Sequence, residues 1–220
     1  KKSEREELIA LKDELWNPLV PILHSCVVRP ERAETESVKD AIAMAYMTSF
    51  KGRLHIAHIS SPKSVEMVKK AKQQGMRITC GVTPPHLFYD WNKMNRDNGI
   101  MYKMNPPLRA PGDPDKMLNY LRNGDIDCIE TDDAPHTNDD KREAYASGIR
   151  GLLHWPIYKV ALGMHNFTNE QIEKVTHKNI EDVFGFDIPR NTRPIIDRRS
   201  ELIFNYHRPL EDMIGWPSAT

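Results

Sequence analysis

The sequence predicts an α/β fold in which helices connect the strands of a parallel sheet. Short apolar runs alternate with helical segments through the middle of the chain, and caps or glycines mark where most of these helices begin and end. A chain of 220 residues with 39% apolar content can bury a sizeable core alone or as part of a larger domain. This order of elements is typical both of a doubly wound sheet and of a (β/α) barrel.

The first two predicted elements are helices. Ser3 and Glu6 fit a capping box, which predicts a helix of about three turns at this point. An amphipathic pattern predicts a second helix over residues 34–48. Met44 and Met47 of that helix have helical spacing, and we expect them to fill the core.

Three strands with connecting helices follow. The apolar runs predict strands over residues 54–59, 77–82 and 126–131. Ser61 and Pro62 form an N-cap with proline at the first helical position, and Gly75 ends that helix. Further helices are predicted near residues 113–124, 151–162, 168–175 and 177–184.

The composition limits the classes of partner. Lys+Arg and Asp+Glu balance at 31 each, so no net field attracts the chain to nucleic acid or to an anionic membrane. No apolar run has the length that spans a bilayer. Three widely separated cysteines argue against a disulfide framework and for a reducing compartment. We therefore expect a small-molecule substrate, no nucleic acid or membrane partner, and a cytoplasmic location.

Two candidate metal ligands lie near the carboxyl ends of predicted strands. Side chains alternate between the two faces of a strand, so His55 and His58 are expected on opposite faces and cannot share one metal. His58 is the better candidate because it is nearer the carboxyl end of the strand. Asp132 follows the third strand, where a carboxylate can bind a metal and take a proton from metal-bound water. The structural alternatives are a core histidine bonded to a backbone carbonyl and an aspartate that caps the next helix.

Two further candidates lie on loops. Asn105 offers both a donor and an acceptor, and the prolines after it stiffen the loop, which suits a binding residue and equally an ordinary turn. His136 can donate to a substrate carboxylate or an oxyanion, or can simply be solvated. Both residues belong to distinctive strings, KMNPPLR at residues 103–109 and TDDAPH at residues 131–136.

These two strings resemble the dihydroorotases of the amidohydrolase superfamily. The resemblance extends from about residue 53 to about residue 185, and it includes the string VTPPHL, in which Pro85 stands where the family has a histidine. It implies a (β/α)8 barrel of the metal-dependent hydrolase type. Residues 1–188 would form the carboxyl-terminal part of the barrel, and residues 189–220 an irregular tail.

The resemblance also implies an activity and a site. The activity is the reversible, zinc-dependent cyclisation of N-carbamoyl-L-aspartate to L-dihydroorotate in pyrimidine biosynthesis. His58 and Asp132 match metal ligands, and Asp132 also matches the general base. Positions that match substrate-binding residues are Asn105, His136, Ser147 and Gly148. A complete active site of the family would hold two zinc ions.

Two departures from the family pattern leave alternatives open. Asp133 stands where the family usually has a histidine, and the family's His-x-His pair and bridging lysine or aspartate do not occur in this sequence. We therefore expect the 220 residues to be part of a longer dihydroorotase whose first half lies outside this chain. The alternatives are a non-catalytic structural partner of a carbamoyltransferase, and a hydantoinase or allantoinase. A homo-oligomer or a carbamoyltransferase complex is the expected assembly.

Overall fold

The computed structural model describes residues 29–95, 99–134, 155–185 and 187. Its strands are β1 (Leu54–Ile56), β2 (Ile78–Val82) and β3 (Cys128–Ile129). Its α-helices are α1 (Glu31–Met47), α2 (Pro62–Gln73), α3 (Pro84–Phe88), α4 (Asp113–Asn123), α5 (Trp155–Met164), α6 (Asn169–Glu173) and α7 (Asn179–Phe184). Two 3-10 helices, Trp91–Asn95 and Gly99–Tyr102, lie between α3 and α4, and a π-helix, Lys174–Lys178, joins α6 to α7.

The three strands form one parallel sheet in the order β1-β2-β3. Leu54 pairs with Ile78 at the start of the first ladder, and Gly81 pairs with Cys128 in the second. Between successive strands the chain crosses over through α2 and through α4, as parallel pairing requires. The predicted α/β class and parallel sheet are therefore confirmed.

The two faces of the sheet differ in polarity. Ile78, Cys80 and Val82 of β2 are buried in the main apolar core, which also contains side chains of α2 and α4. Thr79 and Gly81 alternate with them and face the opposite side of the sheet. Helices therefore cover the apolar face, and the other face is left to a network of polar side chains.

Local capping explains why the helix boundaries were predictable. Oγ of Ser61 accepts the amide of Lys63 at 3.2 Å, and Pro62 is the first helical residue of α2. Gly75 and Gly124 follow α2 and α4 with φ of 85° and 80°, a conformation that favours glycine. Thr168 and Gln171 form a reciprocal capping box at the start of α6.

Two features of the prediction were wrong. Met44 and Met47 do not fill the core, because their exposed fractions are 65% and 86%. At about 100° per residue, Met47 lies about 180° around α1 from Val38, whose side chain is buried in the core. The first and third strands are also shorter than predicted. The first ends early because the chain turns at His58, whose φ is 38°.

Several predicted features lie outside the described residues. They are the helix after Ser3, the start of the helix at residues 151–154, and the tail over residues 189–220. None of the helices in the described ranges combines the length and the apolar character needed to cross a membrane.

Matched methionine substitutions test the core. Met117 of α4 is fully buried, so Met117→Ala is expected to lower the free energy of unfolding by about 2–5 kcal/mol through lost apolar burial and a residual cavity. Met47→Ala removes the same atoms from an exposed position and is expected to change the free energy of unfolding by less than about 0.5 kcal/mol. Urea unfolding of the purified protein measures both. Equal losses would contradict this assignment of core and surface.

Candidate functional site

A cavity of about 450 Å³ lies beside the carboxyl end of β1. Residues from α1 and the segment just before it, from the end of β1 and the turn after it, and from the loop before α4 line it. They include Arg29, Glu34, His58, Asn105, Pro107 and Arg109. The structure thus brings two of the predicted site residues, His58 and Asn105, to one cavity, although they are 47 positions apart in the sequence.

The turn after β1 carries His58 in the left-handed region, with φ of 38°, which is unfavourable for a residue with a side chain. Its amide N–H donates to Oε2 of Glu130 at 2.5 Å. The next amide, of Ile59, donates to the carbonyl oxygen of Gly81 at 2.8 Å. The peptide groups on both sides of the His58 Cα are therefore bonded, one to the Glu130 side chain and one to β2, and these bonds stabilise the conformation.

Glu130 follows β3 and reaches this turn by crossing β2 at Gly81. A Cβ atom at residue 81 would overlap Cγ, Cδ and Oε1 of Glu130. Oε1 of Glu130 lies 2.6 Å from Nε2 of His55, and Nδ1 of His55 lies 2.8 Å from Oγ1 of Thr79. Burial raises the pKa of Glu130, but the hydrogen bonds from His55 and from the His58 amide outweigh it, so the pKa is lowered. The carboxylate is therefore ionised at neutral pH.

Glu34 of α1 binds the next two amides of the same turn. Its Oε1 accepts the N–H groups of Ser60 at 3.1 Å and of Ser61 at 3.0 Å. Arg109 pairs with Oε2 of Glu34 at 3.0 Å and donates through Nε to Oγ of Ser60 at 2.8 Å. Burial raises the pKa of Glu34, but the Ser60 hydrogen bond and the charge of Arg109 leave it lowered. This ion pair connects α1, the His58 turn and the Asn105 loop.

His86 of α3 also binds the Asn105 loop. Its Nδ1 lies 2.7 Å from Oγ1 of Thr83, and its Nε2 lies 3.0 Å from the carbonyl oxygen of Pro106. Burial lowers the pKa of His86 to about 4, so the ring is neutral at pH 7. A neutral ring that donates from Nε2 to Pro106 and accepts at Nδ1 from Thr83 satisfies both contacts. The Pro106–Pro107 peptide of the Asn105 loop is therefore held by a buried side chain.

Asp132 lies two residues beyond Glu130, at the same end of the sheet as His58. It is exposed and is not among the residues that line the cavity. Zinc sites in proteins use three or four protein ligands. Of the predicted ligands, the described part of the chain supplies only His58 and Asp132, and it therefore does not complete a zinc site. The predicted substrate-binding residues His136, Ser147 and Gly148 lie outside the described residues.

A second group of possible metal donors lies on the polar face of the sheet. The donor atoms of His55, Cys128 and Glu130 are within 4.8 Å of one another. The 2.6 Å separation of Nε2 of His55 from Oε1 of Glu130 is a hydrogen-bond distance, shorter than the roughly 3.3 Å between ligands bonded to one zinc at about 2.0 Å. The group therefore fits a hydrogen-bonded network better than a metal centre.

Sequence comparison finds relatives that share part of this chain, although no family model matches it. The dihydroorotase of Thermoanaerobacter sp. (strain X514) is 39% identical over 155 residues, which are 69% of this chain and 34% of the relative. The dihydroorotase of Desulforapulum autotrophicum is 41% identical over 124 residues, or 56% of this chain and 28% of the relative. The chain thus spans about a third of the length of these curated relatives.

Comparison with solved structures shows the same fold. A dihydropyrimidinase from Brevibacillus agri superimposes with a TM-score of 0.72 and 21% identity, covering 82% of this chain and 41% of that structure. A dihydroorotase from Saccharomyces cerevisiae gives 0.63 and 13% identity, over 71% and 44%. The fold is that of a part of the cyclic amidohydrolases. Within that class the chain is homologous to the dihydroorotases over part of their length, as the two strings predicted.

Glu34, His86 and Glu130 were not singled out from the sequence. Glu34 and Glu130 are single polar residues whose partners are distant in the chain, and the one available signal was an ionisable group within or beside an apolar segment. His86 was part of the quoted string VTPPHL, but its partner Pro106, 20 positions away, was not identifiable from that string. Arg109 was part of a recognised string, but its partner Glu34 was not identifiable from that string.

The burial of His86 predicts a dependence of stability on pH. An unfolded histidine has a pKa of about 6.5, so between pH 6.5 and 4 the unfolded state binds more protons than the folded state. The contribution of neutral His86 to the free energy of unfolding is complete above pH 6.5 and is lost as the pH falls toward 4. Between pH 7.5 and 5 the loss is about 2 kcal/mol. Urea unfolding at both pH values should show a smaller pH dependence in His86→Gln. The exposed His165→Gln should keep the parent's dependence, and no difference between the variants would contradict the prediction.

Removal of Arg109 is expected to leave the Glu34 carboxylate buried without its cation. Arg109→Met should therefore lower the free energy of unfolding by about 3–5 kcal/mol, and Glu34→Gln in the same protein should recover part of the loss. Lys63→Met, which breaks the surface pair with Glu31, should have no measurable effect. Denaturant unfolding of the parent, Arg109→Met, the double variant and Lys63→Met measures the four free energies of unfolding. A double variant less stable than Arg109→Met would show that the lost charge pair is not the cause.

Proposed function

We propose that the chain is the carboxyl-terminal part of a (β/α)8 barrel and that the complete protein is a dihydroorotase. Such an enzyme converts N-carbamoyl-L-aspartate reversibly to L-dihydroorotate in de novo pyrimidine biosynthesis. The observation that carries the proposal is the cavity shared by His58 and Asn105, in a chain that is 39% identical to a dihydroorotase over 155 residues.

The architecture supports a barrel. Parallel strands with connecting helices packed on one face of the sheet are typical of the wall of a (β/α)8 barrel, whose sites lie at the carboxyl ends of the strands. Within the described residues β1 and β3 each pair with one neighbouring strand only, so closure requires strands from elsewhere. We propose that the remaining strands are supplied by a part of the protein that precedes this chain or by another chain.

The site residues have complementary chemical roles in this reaction. The amide of Asn105 binds the carboxylate end of the substrate, with His136 as a second donor. In the ring-opening direction Asp132 takes a proton from the attacking water and passes it to the departing ring nitrogen. Ser147 and Gly148 contact the ring through their backbone. Zinc would require ligands beyond His58 and Asp132, and we propose that these come from outside the described residues.

A non-catalytic role is the second candidate. Asp133 and Pro85 depart from the family's pattern, and the described residues offer two of the ligands that a zinc site needs. A degenerate barrel of this kind could support a carbamoyltransferase in a complex. A homo-oligomeric enzyme is the assembly that we propose for the catalytic alternative.

Metal analysis and assays of the natural full-length protein test these alternatives. We expect about two zinc ions per chain and turnover of dihydroorotate, and Asp132→Asn is expected to lower kcat by about 10²–10⁴-fold because the general base is lost. Asp115→Asn, at an exposed position on α4, is the matched control and should leave kcat unchanged.

Three results would contradict the proposal. Protein without zinc and without turnover would favour the structural partner. Turnover of hydantoin or allantoin in place of dihydroorotate would favour a related cyclic amidohydrolase. An unchanged kcat in Asp132→Asn would remove this residue from the mechanism.

A further inference from the structure

We infer that Glu130 is a positioning residue for His58. By crossing β2 at Gly81 and accepting the His58 amide, its carboxylate holds the turn after β1 in the conformation that places His58 in the cavity that Asn105 also lines. The inference rests on the proposed function, in which His58 binds a metal ion.

The first step is that the His58 conformation needs an external cause. A non-glycine residue with φ of 38° is strained, and such residues persist where the surroundings determine their geometry. The Ile59 amide returns to the β2 ladder by donating to Gly81, so the strain is confined to one residue. The His58 amide has left that ladder, and the described structure gives it one acceptor, Oε2 of Glu130.

The second step is that the position of the Glu130 carboxylate is itself determined. Its other oxygen contacts Nε2 of His55, and His55 contacts Thr79, so groups on β1 and β2 orient a side chain that starts beyond β3. The path between them is open because residue 81 has no side chain. A carboxylate fixed in this way can orient the backbone of a ligand residue, as outer partners of metal ligands do.

The third step separates this role from a simple charge pair with His55. If Glu130 served only to pair with His55, its removal would leave the turn at His58 unchanged. If it positions His58, two different substitutions should have the same effect. Glu130→Ala removes the acceptor, and Gly81→Ala leaves the acceptor intact but blocks its path.

The test uses the full-length protein and compares Glu130→Ala, Gly81→Ala and the double variant with the parent. Crystal structures report φ of His58 and its place in the cavity. Competition with a chelator reports the Zn²⁺ affinity without any assay of activity. Glu66→Ala removes a carboxylate that accepts the Tyr120 hydroxyl and serves as the matched control.

We expect His58 to leave the left-handed region in both single variants, with Zn²⁺ affinity about 10–100-fold weaker than in the parent. Gly81→Ala should have no further effect once residue 130 is alanine, because no side chain then crosses β2. Glu66→Ala should bind Zn²⁺ like the parent. If Glu130→Ala does not fold, Glu130→Gln keeps the size of the side chain, and its single carbonyl oxygen should give an intermediate affinity.

Each failure has a separate meaning. An unchanged His58 turn in the Glu130 variant overturns the inference and leaves the proposed function standing. Independent effects of Gly81→Ala and Glu130→Ala also overturn it, because the crossing would then not be the cause. A parent protein that binds no Zn²⁺ overturns the proposed function, and the position of His58 in the crystal structures still decides the inference.

Discussion

Two partly buried carboxylates, Glu34 and Glu130, determine the geometry of the candidate site by binding backbone amides of the turn at residues 58–61. A strand that ends inside a protein leaves N–H groups that must be paired, because an unpaired buried amide is costly. Here carboxylates replace the missing strand neighbour. Both remain ionised in spite of burial, Glu34 because of Ser60 and Arg109, and Glu130 because of His55 and the His58 amide.

The cavity is formed by loops that are bound to the rest of the fold at several points. Arg109 connects the Asn105 loop to α1, and His86 binds the carbonyl of Pro106 from α3. Such a site is organised before any ligand arrives, which favours both binding and catalysis. The same polar contacts would also stabilise a degenerate barrel. The rigidity of the cavity is therefore compatible with both candidate functions, and the metal and the turnover distinguish them.

Local signals predicted the fold better than they predicted the site. The boundaries of α2 and α4 followed from a cap, a proline and two glycines, whose effects operate within a few residues. The early end of β1 depends on Glu130, 72 positions after His58, and no local pattern contains that information. Met47 was misplaced for a similar reason, since tertiary packing decides which side of α1 faces α2 and the core.

The sequence by itself determined the order of strands and helices, the parallel sheet and the likeness to dihydroorotases, because periodicity, caps and short motifs are written in neighbouring residues. It also named His58 and Asn105. Only the tertiary structure decided that these two share a cavity, that Glu130 crosses the sheet at Gly81, and that Arg109 pairs with Glu34. The physical reason is that hydrogen bonds and ion pairs between distant segments depend on how the strands and helices pack, which local sequence preferences do not specify.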